Sequence, residues 1–142
     1  SCVAVLPKGH RLTKLKKLKP ADFAGEPFIA FPSATPLREK IDAVFKAAKV
    51  ERQTVAEAGL GSSVCALVGA GLGVALINPL AAREEYEANG VEVRPFSPSV
   101  PVTVALLYPP YHTRTRLVSV FSRYAHQLMN EEMADLKTRP AR

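Results

Sequence analysis

Three short segments carry the residue types that hold a small anion: Pro32-Ser33-Ala34-Thr35-Pro36, Gly59-Leu60-Gly61-Ser62-Ser63 and Ile77-Asn78-Pro79. Each joins the end of a strand to the start of a helix. Each therefore offers unpaired backbone N–H groups, with a hydroxyl or amide side chain beside them, at the positive end of a helix dipole. That chemistry suits a carboxylate or another small anion. Ser33, Ala34, Thr35, Gly61, Ser62, Asn78 and Pro79 are the candidate ligand-binding residues. The plainer alternative is that Thr35, Ser62 and Asn78 cap their own helices, a role worth about 1 kcal/mol each; three such turns together favour a ligand. Arg38 falls at the third position of the helix that Thr35 would cap, where the dipole disfavours a cation. A bound acid or Asp42, one turn on, answers that charge, and the i,i+4 pair is the preferred reading.

Other constellations point away from catalysis. His10, His112 and His126 lie in a linker, a loop and a terminal helix, none at metal-ligand spacing to a second ligand. The order Gly59-Leu60-Gly61-Ser62-Ser63 is wrong for a Gly-x-Ser-x-Gly nucleophile elbow. The Glu84-Glu85-Glu87 cluster beside Arg83 reads as a solvated helix face, and Cys2 and Cys65 as buried thiols outside any paired motif. No catalytic residue, metal site or cofactor is expected. The glycine run Gly69-Ala70-Gly71-Leu72-Gly73 resembles a nucleotide loop only superficially. It lacks the Gly-Lys-Ser/Thr ending, and it follows a helix and precedes a strand, the reverse of a dinucleotide fingerprint. Its expected role is to end a helix and bring the chain close to a sheet.

The net charge of +6 gathers largely in His10-Arg11-Leu12-Thr13-Lys14-Leu15-Lys16-Lys17-Leu18-Lys19. With no aromatic residue interleaved to stack on bases, this run reads as a solvated connecting segment rather than a nucleic-acid site. At 142 residues and 47% hydrophobic, the chain has the makings of one soluble domain, and it carries no apolar run of membrane-spanning length. It opens on Ser-Cys-Val-Ala-Val-Leu-Pro without an initiating Met and is expected to be a piece of something longer, resident in the cytoplasm.

The elements that would position the turns follow from hydrophobic period and punctuation. Strands are expected at residues 2–6, 27–31, 52–57, 74–77, 91–94 and 102–108, and a single helical turn at 21–24. Helices are expected from Pro36 to about Lys49, from about Ser62 to Ala70, from Pro79 to the Asn89-Gly90 stop, and over 113–130. Leu37, Ile41, Val44, Phe45 and Ala48 make one apolar face of the first helix; Leu117, Val120, Phe121, Tyr124, Leu128 and Met129 form the stripe of the last. Residues 131–142 read as a frayed polar tail. Strands alternating with helices give an α/β fold with a mostly parallel sheet, and the strand-to-helix turns of such a sheet collect along one edge.

These motifs in this order resemble the second half of the effector-binding domain of LysR-type bacterial transcriptional regulators, from Cys2 to about Met129. The resemblance is carried by Val3-Ala4-Val5-Leu6-Pro7-Lys8-Gly9-His10-Arg11-Leu12, by Ala21-Asp22-Phe23-Ala24-Gly25-Glu26-Pro27-Phe28-Ile29, by the RxxIDxVF pattern from Arg38 to Phe45, and by Leu67-Val68-Gly69-Ala70-Gly71-Leu72-Gly73-Val74-Ala75. Ile77-Asn78-Pro79-Leu80 and the stretch from Val93 to Val104 further resemble the subgroup that senses amino-acid-like effectors, notably diaminopimelate-responsive and opine-responsive regulators.

The resemblance implies a periplasmic-binding-protein-like (type 2) domain of two α/β lobes, with a carboxylate or amino-acid-like effector in the cleft and lobe closure relayed to a winged helix-turn-helix. Ser33-Ala34-Thr35 and Ile77-Asn78-Pro79 match effector-contacting loops of the second lobe, and strands 2–6 and 102–108 match the crossovers between lobes. Residues 1–12 would then be a crossover strand and the start of the second lobe, and 13–101 the second lobe itself. Residues 102–130 would be the return strand and a helix of the first lobe, and 131–142 a flexible tail. The helix-turn-helix, the linker helix and the opening strands of the first lobe are lacking. DNA binding would thus depend on a segment outside this sequence, effector affinity would be weak, and the stripe of 113–130 would seek another copy of the chain, giving a homo-oligomer. The competing readings are a solute-binding protein of a transport system and an enzyme on the same two-lobed fold, such as a prephenate dehydratase or a deaminase.

Overall fold

The computed structural model describes residues 1–88, 90–110 and 115–138, and side chains throughout these except at 84–88 and 132–138. It comprises two compact units, Ser1–Val102 and Thr103–Arg142.

In the first unit, β1 (Val3–Pro7), β2 (Pro27–Ala30), α1 (Pro36–Ala47), β3 (Gln53–Glu57), α2 (Gly61–Gly69), β4 (Ala75–Ile77), α3 (Pro79–Ala88) and β5 (Val91–Pro95) follow in order. β2 pairs with β3 in parallel, and β1 lies between β4 and β5, antiparallel to both. A parallel bridge from Phe28 to Val74 joins the two groups, giving the order β3-β2-β4-β1-β5. β2, β3, β4 and β5 thus share the direction expected of a mostly parallel sheet, and β1 runs against them. The reversal has a local cause. β2, β3, β4 and β5 are linked in succession by α1, α2 and α3, the helical crossovers that parallel neighbours require, whereas β1 reaches β2 through two short 3₁₀ turns, Arg11–Lys14 and Pro20–Phe23.

Strand alternation divides the apolar residues between two faces. Ala4 and Leu6 of β1, Phe28 and Ala30 of β2 and Leu76 of β4 join Leu12, Leu18, Phe23, Phe96 and the α1 residues Ile41 and Phe45 on one face. Val5, Ile29, Ala75 and Ile77 meet Val64, Cys65 and Val68 of α2 and Ala82 of α3 on the other. Phe23 is the hub of the first core, its ring meeting those of Phe45, Phe96 and Phe28 edge-on at 5.6, 5.8 and 6.1 Å. A central strand buried on both sides explains why β1 reads as a continuous apolar run rather than an alternating one.

The basic segment is built into the sheet rather than simply connecting it. Leu12 and Leu18 are buried, Leu18 N–H donates to Pro95 O at 2.9 Å, and Ser97 N–H donates to Leu18 O at 2.8 Å. The Arg94 guanidinium donates twice to Thr13 O, at 3.0 and 2.8 Å. Lys14, Lys16, Lys17 and Lys19 stay exposed along the outside of β5, where charge discourages edge-to-edge association.

The second unit holds α4 (Arg116–Thr138). Two expectations fail here. Residues 102–108 form no strand: among the described residues no neighbouring strand takes up their backbone groups, and β propensity without a partner does not make a strand. The tail is not frayed from residue 131, because the helix runs on to Thr138. Glu131, Glu132, Met133, Ala134, Leu136 and Lys137 are all good helix formers, with neither glycine nor proline among them. Tyr108 and Ser122 hydroxyls lie 2.5 Å apart within this unit.

Candidate functional site

Because β2, β3 and β4 run parallel and side by side, the turns that leave them open along one edge of the sheet. β2 leads through 31–35 into α1, β3 through 58–60 into α2, and β4 through Asn78 into α3. The candidate residues are therefore brought to one edge, with the turn after β2 between the other two.

The two explanations of those residues, capping and ligand, divide among the turns. Thr35 is a cap: its Oγ1 accepts from Arg38 N–H at 3.4 Å and donates to Pro32 O at 2.9 Å. Asn78 also caps, Oδ1 accepting from Leu80 N–H at 3.0 Å, and Pro79 is buried at the first position of α3. Ser62 does not cap. Leu60 occupies the capping position of α2 and supplies no side-chain acceptor, so among the described residues the first N–H groups of α2 have no side-chain cap, while Ser62 and Ser63 are exposed beside them. Ser33 and Ala34 are also exposed.

Gly61 fixes how α2 and α3 meet. A Cβ added there would come within 2.8 Å of Ala81 Cβ, so the two helix starts touch because one residue lacks a side chain and the other has only a methyl. The glycine run has the structural role expected of it. Gly71, at φ +80°, closes α2 in a Schellman turn, with Leu72 N–H to Leu67 O at 3.1 Å and Gly71 N–H to Val68 O at 2.8 Å. A Cβ on Gly73 would lie 2.4 Å from Pro27 O, so glycine is required there for β4 to come alongside β2.

Arg38 is committed within the protein. Its Nε donates to both Asp42 oxygens at 2.9 and 3.0 Å, and its Nη1 donates to Phe31 O at 2.6 Å and to Glu57 Oε1 at 2.8 Å. The Glu57 hydrogen bond, foremost, with Asp42 beside it, raises the guanidinium above its ordinary pKa against the opposing effect of burial. Asp42 also accepts from Arg52, whose guanidinium packs on both the Phe28 and Phe45 rings, 4.7 Å from each centroid. Burial pulls Arg52 below its usual value, and Asp42 opposes that shift. The Arg38–Asp42 pair was legible from spacing. Glu57 and Arg52 were missed, and only the position of Glu57 at a strand end, just before a glycine turn, hinted at a role.

Cys2 and Cys65 are both buried, and burial pushes the Cys2 thiol up to about 11. His10 Nε2 lies 3.3 Å from Glu26, whose Oε1 also accepts from Arg11 Nε at 2.6 Å. His126 is exposed on α4. His112, the stop residue Asn89 and the side chains of Glu84, Glu85 and Glu87 fall outside the described residues. Among the described residues no three His, Cys, Asp or Glu side chains could hold a metal ion, and no helix is long and apolar enough to cross a membrane.

A family model for the LysR substrate binding domain matches residues 1–130. The chain is 42% identical over 120 residues to the transcriptional activator protein LysR of Escherichia coli K12, covering 84% of this chain and 38% of that protein. It is 35% identical over 119 residues to the regulatory protein NocR of Agrobacterium tumefaciens T37, covering 84% and 39%. The chain thus spans under two fifths of the curated relatives it matches. Among solved structures, the effector binding domain of QuiR in complex with shikimate aligns with a TM-score of 0.65 at 19% identity, covering 92% of this chain and 62% of that one, a likeness of fold.

Proposed function

Since the chain belongs to the LysR substrate-binding domain family, we propose that it is the second lobe of the effector sensor of a transcription regulator, and that its turns at 33–35, 61–63 and 78–79 bind a small carboxylate or amino-acid-like effector. The observation that carries this reading is the start of α2: backbone donors without a side-chain cap, flanked by exposed Ser62 and Ser63, at the strand-end edge where α1 and α3 also begin. Ser33, Ala34, Thr35, Gly61, Ser62, Asn78 and Pro79 form the binding edge, the capped turns contributing their remaining backbone donors and the Asn78 amide. The rest of the whole regulator would supply the opposite wall of the cleft and the winged helix-turn-helix that contacts DNA. The protein would work in the cytoplasm as a homo-oligomer and catalyse no reaction. Its relatives, named as a transcriptional activator and a regulatory protein, support a regulator over a transport protein or an enzyme.

The amino-acid-like class is supported by Ile77-Asn78-Pro79-Leu80 and the proline-rich stretch that follows β5. Calorimetric titration of the intact two-lobed domain with diaminopimelate, lysine, arginine and opines tests it. One of these is expected to bind saturably, and Ser62→Ala with Asn78→Ala to weaken that binding at least about tenfold, the loss of one hydrogen bond to a charged group, and about a hundredfold or more if both contacts are made. Silence from all of them would end the amino-acid proposal.

A further inference from the structure

Arg38 lies in the first turn of α1, where the helix dipole works against a positive charge. It is nevertheless held on three sides, and two of its partners lie at the ends of different strands. Phe31, whose carbonyl accepts from Nη1 at 2.6 Å, directly follows β2 and opens the turn that carries Ser33, Ala34 and Thr35. Glu57, whose carboxylate accepts from the same Nη1 at 2.8 Å, is the last residue of β3 and leads into the turn that carries Gly61 and Ser62. A single nitrogen therefore bridges two of the candidate binding turns. The guanidinium is itself held in place by Asp42 through Nε, and Asp42 by Arg52. The Arg52 side chain is only 9% exposed and its guanidinium lies against two core phenylalanines, so the chain of contacts runs from the Phe core to the sheet edge.

We propose that Arg38 is a positioning residue of the effector site, setting the spacing between the turns at 31–35 and 58–63 by tying the Phe31 carbonyl to the Glu57 carboxylate. The assignment rests on the effector reading above for its bearing on binding, though the tie is a property of the lobe alone. Lysine cannot replace it, because an ammonium lacks the planar fork that serves Asp42 through one nitrogen and the two strand ends through another. The start of β4 is held independently of Arg38, by Val74 N–H to Pro27 O at 2.8 Å and Ile29 N–H to Val74 O at 2.9 Å, so loss of Arg38 should loosen the first two turns and leave the start of β4 untouched.

Two measurements on the intact effector domain test this. Without ligand, amide hydrogen exchange of Arg38→Lys and of Glu57→Leu should speed up in both 31–35 and 58–63, with 74–77 as before; Glu57→Gln, which keeps the acceptor oxygen, should behave as wild type. With diaminopimelate and lysine as probes, each of the first two variants should weaken binding about tenfold and the double variant no further, the non-additivity of a shared contact. Exchange that rises in one segment only, or evenly across the lobe, overturns the proposal. So does a lowered melting temperature with affinities of the folded protein unchanged, the outcome of a merely stabilising role. If the exchange pattern appears but wild type binds neither probe, the tie is upheld and the choice of effector class falls.

Discussion

Single residues here carry specific local costs. Lys49 closes α1 in the left-handed region at φ 55°, with Val50 N–H to Phe45 O at 3.0 Å completing a Schellman turn that glycine normally occupies. Lys49 is exposed, so Lys49→Gly should stabilise the chain by about 0.5–1 kcal/mol, read from denaturant midpoints, because the strain of a side chain in that region is relieved. Gly73 shows the opposite case. Gly73→Ala puts a Cβ against the Pro27 carbonyl, which is backbone and cannot step aside; a loss of about 2 kcal/mol or more is expected. The purpose of the Gly69-to-Gly73 run was legible because its context, helix before and strand after, ruled out a phosphate loop. The ligation of Arg38 was half legible. Helical spacing reveals an i,i+4 partner such as Asp42, but no local period reveals a carboxylate nineteen residues away in sequence.

At the scale of elements, the boundaries that punctuation marks were read well. Thr35-Pro36, Asn78-Pro79 and Gly71 begin or end helices where cap chemistry predicts. What escaped was whatever depends on a neighbour. The reversal of β1 is settled by how it is connected, the missing strand at 102–108 by the lack of a partner, and the extension of α4 by helix propensity outweighing polarity. The absence of a cap on α2 also escaped, since Ser62 is the right residue two positions too late: Leu60, not a serine, sits where the chain enters the helix. The contact between α2 and α3 can be tested directly. Gly61→Ala forces its methyl on Ala81, which is fixed to a helix, so the helix starts must separate. A loss of about 1–2 kcal/mol in stability is expected from overpacking, together with weaker effector binding; a crystal structure of the variant with the helix starts in place would contradict this.

At the scale of the whole molecule, α4 leaves Leu117, Phe121, Tyr124 and Leu128 between 57% and 78% exposed, a stripe on one helix face that a stable protein covers. In the isolated 142-residue chain the cover we expect is a second copy. Sedimentation should show self-association that Phe121→Ser with Leu128→Ser abolishes, and a wild-type monomer would refute it. In the intact regulator that same face would belong to the other lobe, as the family resemblance implies, and the sensing edge would stay with the first unit. Amide chemical-shift mapping of the intact, nitrogen-15-labelled effector domain tests the binding role of that edge most directly. Titrated with diaminopimelate, and in parallel with lysine, the largest shifts are predicted at the backbone amides of Ser33, Gly61, Ser62 and Ser63 and the side-chain amide of Asn78. Shifts that instead gather along the lysine-lined edge of β5, or leave these amides unmoved while others saturate, would contradict the account.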